Sequence, residues 1–281
     1  MNSENIRSNR KKYIKSAIVL LIVIALLLFC NFQNKHLETT HYTYEAEQLG
    51  VDLDGYRIVQ ISDLHNAKFG KNNQKLVDRI RECAPDMIVL TGDLVDSNHT
   101  NVDRAVQFVN EIVKICPVYY VTGNHEYWLD TSEYENLMDG VASAGVIILD
   151  DQVVEISRGD AKFRLVGLDD KSLADGTLEA LLSDEKELTV VLAHEPQYLA
   201  RYAGTGVDLV LSGHAHGGQF RLPFVGGIVA PDQGFLPEYT AGEYYMNGTE
   251  MIVSRGLGNS VIPVRLFNYP EIVCVDLVGK H

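Results

Sequence analysis

Cysteine is scarce: four occur in 281 residues (Cys30, Cys83, Cys116 and Cys274), and none has the C-x-x-C spacing. Cys30 lies in an apolar run, and the odd number that remains excludes a fully paired disulfide framework or a zinc-thiolate site. The three outside the run are read as small core residues. Internal repeats and low-complexity tracts are also absent, which excludes solenoid and disordered architectures. Positive charge is short as well, with 24 Lys and Arg against 38 Asp and Glu, for a net −14. An acidic surface repels phosphate backbones, so no nucleic-acid partner is expected.

One segment differs from the rest. Ala17 to Cys30 is an unbroken apolar run of fourteen, inside a nearly apolar stretch from Tyr13 to Phe32, close to the roughly 20 residues that a bilayer core requires. Arg7, Arg10, Lys11, Lys12 and Lys15 precede it with one acid, Glu4, which by the positive-inside rule keeps the N-terminus cytoplasmic. Residues 1–16 thus carry +4, leaving −18 of the chain's −14 on the remainder. Leu28, Phe29, Cys30 and Asn31 are a poor cleavage site, which favours a retained signal anchor over a removed signal peptide. A lipid-modified Cys30 and a buried core helix compete with that reading. Asn9 to Lys15 is similar to a twin-arginine export signal with Lys11 for the second arginine, and an ordinary signal anchor explains the same residues. The expected organisation is a cytoplasmic basic N-terminus (1–12), a transmembrane anchor (13–32), a linker with an edge strand (33–55) and one catalytic domain (56–281), placing that domain outside the cell membrane.

Within 56–281 a pattern recurs: a short β-branched run ends in polar residues. Tyr56 to Ile61 runs into Ser62-Asp63-Leu64-His65, and Asp86 to Leu90 into Thr91-Gly92-Asp93-Leu94-Val95-Asp96. Pro117 to Val121 runs into Thr122-Gly123-Asn124-His125-Glu126, Leu188 to Ala193 into His194, and Val207 to Leu211 into Gly213-His214-Ala215-His216. Helical patterns cover 73–84 and 102–115. In an open α/β sheet the loops at strand carboxyl ends gather at one site, so these clusters converge. Any one of them alone is an ordinary turn; five in equivalent places point to a shared function.

The donors are Asp63, Asp93, Asp96, Asn124 and five imidazoles, more than one ion can use. Mixed oxygen and imidazole ligation without thiolate suits manganese, iron or zinc, and two ions about 3.5–4 Å apart clamp the attacking and leaving oxygens of a phosphoryl transfer.

The ordered blocks D-x-H, G-D-x-x-D, G-N-H-E, H and G-H-x-H, from Asp63 to His216, resemble the calcineurin-like metallophosphoesterase superfamily. Gly55 to His65 and Ser254 to Arg265 extend the resemblance to its membrane-anchored bacterial YkuE/YaeI-like branch. The resemblance implies an α/β four-layer α-β-β-α sandwich and two divalent ions. It places the first on Asp63, His65, Asp93 and His216 and the second on Asp93, Asn124, His194 and His214, with Asp93 bridging. It further implies that a metal-bridging hydroxide attacks, while His125, oriented by Asp96, stabilises charge or protonates the leaving oxygen. Arg255 and Arg265 are candidates to grip phosphate, against a plain salt bridge. Asp130, Asp169 and Asp170 are read as solvated turn residues, and Phe220 to Asn247 as a specificity loop. The expected activity is hydrolysis of an extracytoplasmic phosphodiester or pyrophosphate, on a lipid-linked or other cell-envelope substrate. Two further readings stay open: a phosphomonoesterase or protein phosphatase, and a non-catalytic metal-binding envelope module.

Overall fold

Alternation along the central strands divides their side chains between two cores. In Met87 to Leu90, Met87 and Val89 face one apolar cluster and Ile88 and Leu90 another; a strand with both faces covered must be apolar throughout. The computed structural model describes residues 3–47, 49–172, 176–182, 187–259 and 262–280, so Ser260 and Val261 of the glycine-rich ending lie outside them.

In chain order the described strands are β1 (Glu38–Ala46), β2 (Tyr56–Ile61), β3 (Met87–Thr91), β4 (Val118–Val121), β5 (Ile147–Ile148), β6 (Gln152–Arg158), β7 (Ala161–Gly167) and β8 (Thr189–Leu192). They continue with β9 (Leu209–Ser212), β10 (Arg221–Leu222), β11 (Gly226–Gly227), β12 (Val229–Ala230), β13 (Gly234–Phe235), β14 (Gly242–Met246), β15 (Thr249–Val253) and β16 (Glu271–Gly279). Two six-stranded sheets result, ordered β1-β16-β2-β3-β4-β5 and β14-β15-β9-β8-β7-β6. Strands β2 to β5 run parallel, as do β7, β8, β9 and β15. The helices are α1 (Ser3–Lys35), α2 (Gln74–Glu82), α3 (Val102–Ile112), α4 (Asn124–Tyr127), α5 (Thr131–Ser143), α6 (Thr177–Leu181) and α7 (Leu199–Tyr202).

Three apolar clusters fill the gaps between four layers. Leu76, Val77 and Ile80 of α2, Phe108 and Val109 of α3 and Leu137 of α5 cover one sheet. Ile58, Phe163, Val190, Leu192 and Val275 fill the gap between the sheets; Val191, Leu199 and Tyr202 pack α7 on the far side. This is the expected mixed α/β sandwich. The helices start where local chemistry caps them: Asn101 accepts the Arg104 N–H at 2.9 Å and Asp130 the Glu133 N–H at 2.9 Å. Cys83 and Cys274 are buried in the first core, as small apolar residues.

The helix α1 is longer than the predicted span, and its apolar segment covers Arg10 to Lys35 with none of its most apolar stretch buried. Residues from Tyr13 to Phe32 are largely exposed, which is compatible with a single-pass membrane anchor and unlike a core helix. No spacer separates it from the domain. Residues 33–55, expected as a linker, are built in: Asn34 Nδ2 donates to the Pro263 carbonyl at 2.8 Å, the Arg265 N–H donates to Asn34 Oδ1 at 2.8 Å, and β1 pairs in parallel with β16 along its whole length. Within that stretch Glu38–Ala46 forms the outer strand of its sheet.

Candidate metal centre

Every donor cluster follows the carboxyl end of a parallel strand, and the backbone there is held against its preference. Asp63, His65, Asp93, His214 and His216 have φ of 50°, 45°, 53°, 63° and 48°, a left-handed region that L-residues seldom occupy. Each such residue costs on the order of 1–3 kcal/mol, offset by hydrogen bonds between loops: Asp63 N–H to the Gly92 carbonyl at 3.1 Å, His65 N–H to the Asp93 carbonyl at 3.0 Å and Gly213 N–H to the His194 carbonyl at 3.0 Å. Gly213 is required for space, since a Cβ there would overlap Ser62 Oγ and Asp63 Oδ2.

Four groups of donor atoms converge among the described residues. His65, Asp96 and His125 form one, and Glu195, His214 and Asp232 another; the remaining two share Asp93. In the first, Asp63, His65, Asp93 and His216 bring ligand atoms within 4.8 Å of one another; His65 Nε2 is 3.2 Å from His216 Nε2 and 3.4 Å from Asp93 Oδ2, and His216 Nε2 is 3.6 Å from Asp63 Oδ1. In the second, Asp93, His194 and His214 converge. There His194 Nε2 lies 3.3 Å from Asp93 Oδ2, 3.1 Å from His214 Nδ1 and 3.2 Å from Asn124 Oδ1. Asp93 Oδ2 faces both groups. All seven residues predicted as metal ligands are therefore brought together.

The donor set fits two cations. Paired ring nitrogens and carboxylate oxygens repel unless something positive lies between them, and ligands at about 2.0–2.1 Å from an ion have the spacing seen here. Burial pushes the His65 imidazole down to about 3, and burial followed by the Arg265 charge holds His216 well below its ordinary value, so both are neutral, the form that ligates. Burial opposes charge on His194 too, but Asp93 outweighs it and raises the imidazole well above its usual range. Burial likewise works against the Asp93 carboxylate, and His194 pulls it well below.

A family model described as calcineurin-like phosphoesterase matches residues 56–218. The chain belongs to that family. It is 30% identical to the Uncharacterized metallophosphoesterase YkuE of Bacillus subtilis (strain 168), over 98% of this chain and 99% of that protein. It is 30% identical to the Phosphodiesterase YaeI of Escherichia coli (strain K12), over 79% of this chain and 82% of that one. A Transmembrane protein with metallophosphoesterase domain from Danio rerio is 28% identical over 83% of this chain and 55% of its own length. This chain is thus a metal-dependent phosphoester hydrolase.

Several residues of this phosphoesterase differ from expectation. Asp96 Oδ1 is 3.6 Å from His125 Nδ1, too far to orient the ring, whereas the Ser97 N–H donates to that nitrogen at 3.1 Å and Ser97 Oγ lies 3.1 Å away. Asp96 instead accepts the Asn98 N–H at 3.0 Å. His125 itself is buried between His65 and Trp128, with ring centroids 4.5 and 4.7 Å away. Arg255 pairs with Glu38 and Glu271 at 2.8 Å each, so the plain salt bridge holds. Arg265 is fully buried and donates to the carbonyls of Arg255 and Gly258, which leaves no face for phosphate. Asp130 is exposed as the cap of α5, but Asp169 accepts from Thr122 and Tyr127, and Asp170 is half-buried, its carboxyl pushed up by burial and pulled back by His194. Neither of the last two is a solvated turn residue.

Four groups that hold the site escaped the sequence. Glu126 accepts N–H bonds from Gly123 at 2.7 Å, Asp93 at 2.9 Å and Leu94 at 2.8 Å, tying two ligand loops together; its place in G-N-H-E was the only signal. The Thr91 carbonyl meets His194 Nδ1 at 2.8 Å, Asp232 Oδ2 meets His214 Nε2 at 2.8 Å, and Asn268 Nδ2 donates to the His216 carbonyl at 2.7 Å. A ring nitrogen held this way fixes which nitrogen is presented to the cation. Replacing Asp232 with Ala removes the acceptor and frees His214 to rotate, and metal affinity at the second group should fall about 10- to 100-fold. Competition with a chelator, read as metal per chain, checks this; an unchanged titration rejects the role.

Proposed function

We propose that the chain is a membrane-anchored phosphodiesterase that cleaves a phosphodiester or pyrophosphate bond outside the cytoplasmic membrane, using two ions drawn from manganese, iron and zinc. The observation that carries it is the double donor cluster sharing Asp93, with His125 beside it and outside both metal sets. When bound, the ions supply Lewis acidity at phosphoryl oxygens and lower the pKa of water. The chain's own part is to hold the donors in place and to move one proton. The Ser97 N–H occupies His125 Nδ1, so the neutral ring carries its hydrogen on Nε2 and presents that N–H to a phosphoryl or leaving oxygen. To transfer a proton from Nε2 the ring must first be protonated on Nδ1, where Ser97 Oγ at 3.1 Å can accept, and it is left as neutral imidazole.

Five basic residues (Arg7, Arg10, Lys11, Lys12 and Lys15) precede the apolar run of α1, against Lys35 alone in residues 33–55 beyond it, which supports an outward catalytic domain. The name Phosphodiesterase carried by YaeI supports a diester over a monoester. An acidic domain supports a substrate other than nucleic acid. A lipid-linked or envelope phosphate ester is favoured because the anchor enters the domain at the metal end: β1 starts opposite Glu271, and β16 then passes Gln60 near the carboxyl end of β2.

The test compares bis(p-nitrophenyl) phosphate with p-nitrophenyl phosphate on the full chain loaded with Mn²⁺. The proposal expects kcat/KM at least about tenfold higher on the diester. A reversed ratio makes the protein a monoesterase, and no turnover on either with both ions bound makes it a binding module.

A further inference from the structure

The anchor and the apolar loops of the metal end meet at one place. Phe267 is 55% exposed, yet its ring packs edge-on against Phe29 of α1 at 6.0 Å. Phe29 lies three residues inside Phe32, the last apolar residue of the span, about 4.5 Å deeper along the helix axis. Once α1 spans a bilayer, the Phe267 ring is therefore at the depth of the acyl boundary. Its neighbours are fastened to further apolar tips. Leu266 bridges Phe220 and accepts the Arg221 N–H at 2.9 Å, at the foot of the β10–β11 hairpin, which exposes Leu222, Phe224 and Val225. Ile228 links that hairpin to the β12–β13 hairpin by accepting the Leu236 N–H at 2.9 Å, and there Phe235 is 74% exposed and Leu236 57%.

Both hairpins follow the carboxyl end of β9, the end at which α1 enters. Scattered exposed apolar residues are ordinary, but six on two linked hairpins and one loop beside a membrane helix form a patch that demands a partner. No polar spacer allows the domain to stand away: Asn34, Lys35 and His36 are each bonded to or packed on the domain.

We propose that Leu222, Phe224, Val225, Phe235, Leu236 and Phe267 form a second membrane contact, which seats the metal end of the domain on the outer leaflet of the bilayer that holds α1. The inference rests on the anchor reading of α1 and is independent of which phosphoester is cleaved. Lys35, three residues beyond Phe32, donates to the Lys68 carbonyl at 2.8 Å, which suits an interface where rings enter the acyl boundary and cations stay among headgroups. The seat bears on the chemistry because Asn268, next to Phe267, holds the His216 backbone. Substrate phosphates borne at the membrane surface then reach the site without leaving the lipid.

The test uses the full chain in vesicles of a phosphatidylcholine brominated midway along its acyl chains. Trp128 is the one tryptophan, so a Trp128→Phe background accepts single probes: Phe224→Trp, Leu236→Trp, Phe29→Trp and, at the opposite end of the second sheet, Tyr245→Trp, a position 68% exposed. Probes at 224 and 236 should be quenched within about twofold of the probe at 29, as groups in the interface are, while the probe at 245 keeps its intensity. Quenching at 29 without quenching at 224 and 236 overturns the second contact and leaves the anchor intact. Quenching at 245 equal to that at 224 overturns it in favour of unspecific adhesion. No quenching at 29 removes the anchor reading and this inference together, with the phosphoesterase untouched.

Discussion

Asp93→Asn should lose nearly all activity, by about 10³-fold or more, because a charge that neutralises both cations disappears at once. Asp93 Oδ2 lies 3.4 Å from His65 Nε2 in one donor group and 3.3 Å from His194 Nε2 in the other, and no other described carboxylate faces both. The amide keeps the shape and can still receive the His125 N–H, which reaches Asp93 Oδ1 at 2.9 Å. The fold should therefore survive: Asp93 is wholly buried beside Glu126, whose carboxyl is pushed up to about 7 by burial and by the Asp93 charge, so removing that charge relieves a repulsion. The expected result is a soluble, cooperatively melting variant with fewer than two metals per chain by elemental analysis. Retention of two metals together with wild-type turnover would falsify the shared-ligand arrangement.

The parts of the site that could be read from sequence were those carried by strand ends. Asp63, His65, Asp93, Asn124, His194, His214 and His216 each follow closely on a β-branched run, and burial on both faces, which makes such runs nearly apolar throughout, renders them conspicuous. The groups that orient these ligands come from elsewhere in the chain and have no periodicity to reveal them. Asp232 reaches His214 from a turn 18 positions on, and Asn268 reaches His216 across 52. Arg265 shows a different limit. A buried guanidinium binds carbonyls or phosphate with the same fork of donors, and only the surrounding backbone decides between them. Residues 33–55, read as a linker with an edge strand, show a related limit: β1 is polar, yet every residue of it pairs with β16 more than two hundred positions away. An edge strand with one open side has little need of apolar side chains.

His125→Ala separates chemistry from metal binding. The ring belongs to neither donor group that contains Asp93, although it stacks edge-on to His65 at 4.5 Å, so its removal should leave both cations in place. What goes is the Nε2–H donor, which the Ser97 N–H at the other nitrogen sets in position in the neutral ring and which is the acid once the ring is protonated. A positioned general acid contributes about 10²–10⁴ in rate, and kcat should fall by that factor while elemental analysis still finds two metals per chain. The loss should depend on the leaving group: a nitrophenolate departs without a proton and should feel the change least, whereas an alkoxide should feel it fully. Replacing Ser97 with Pro removes the N–H that selects the tautomer and should reproduce part of the same leaving-group dependence with His125 present. Equal losses across leaving groups would instead assign the ring to electrostatic stabilisation of the phosphoryl oxygens. Loss of a metal in His125→Ala would make it a ligand, through the group it forms with His65 and Asp96.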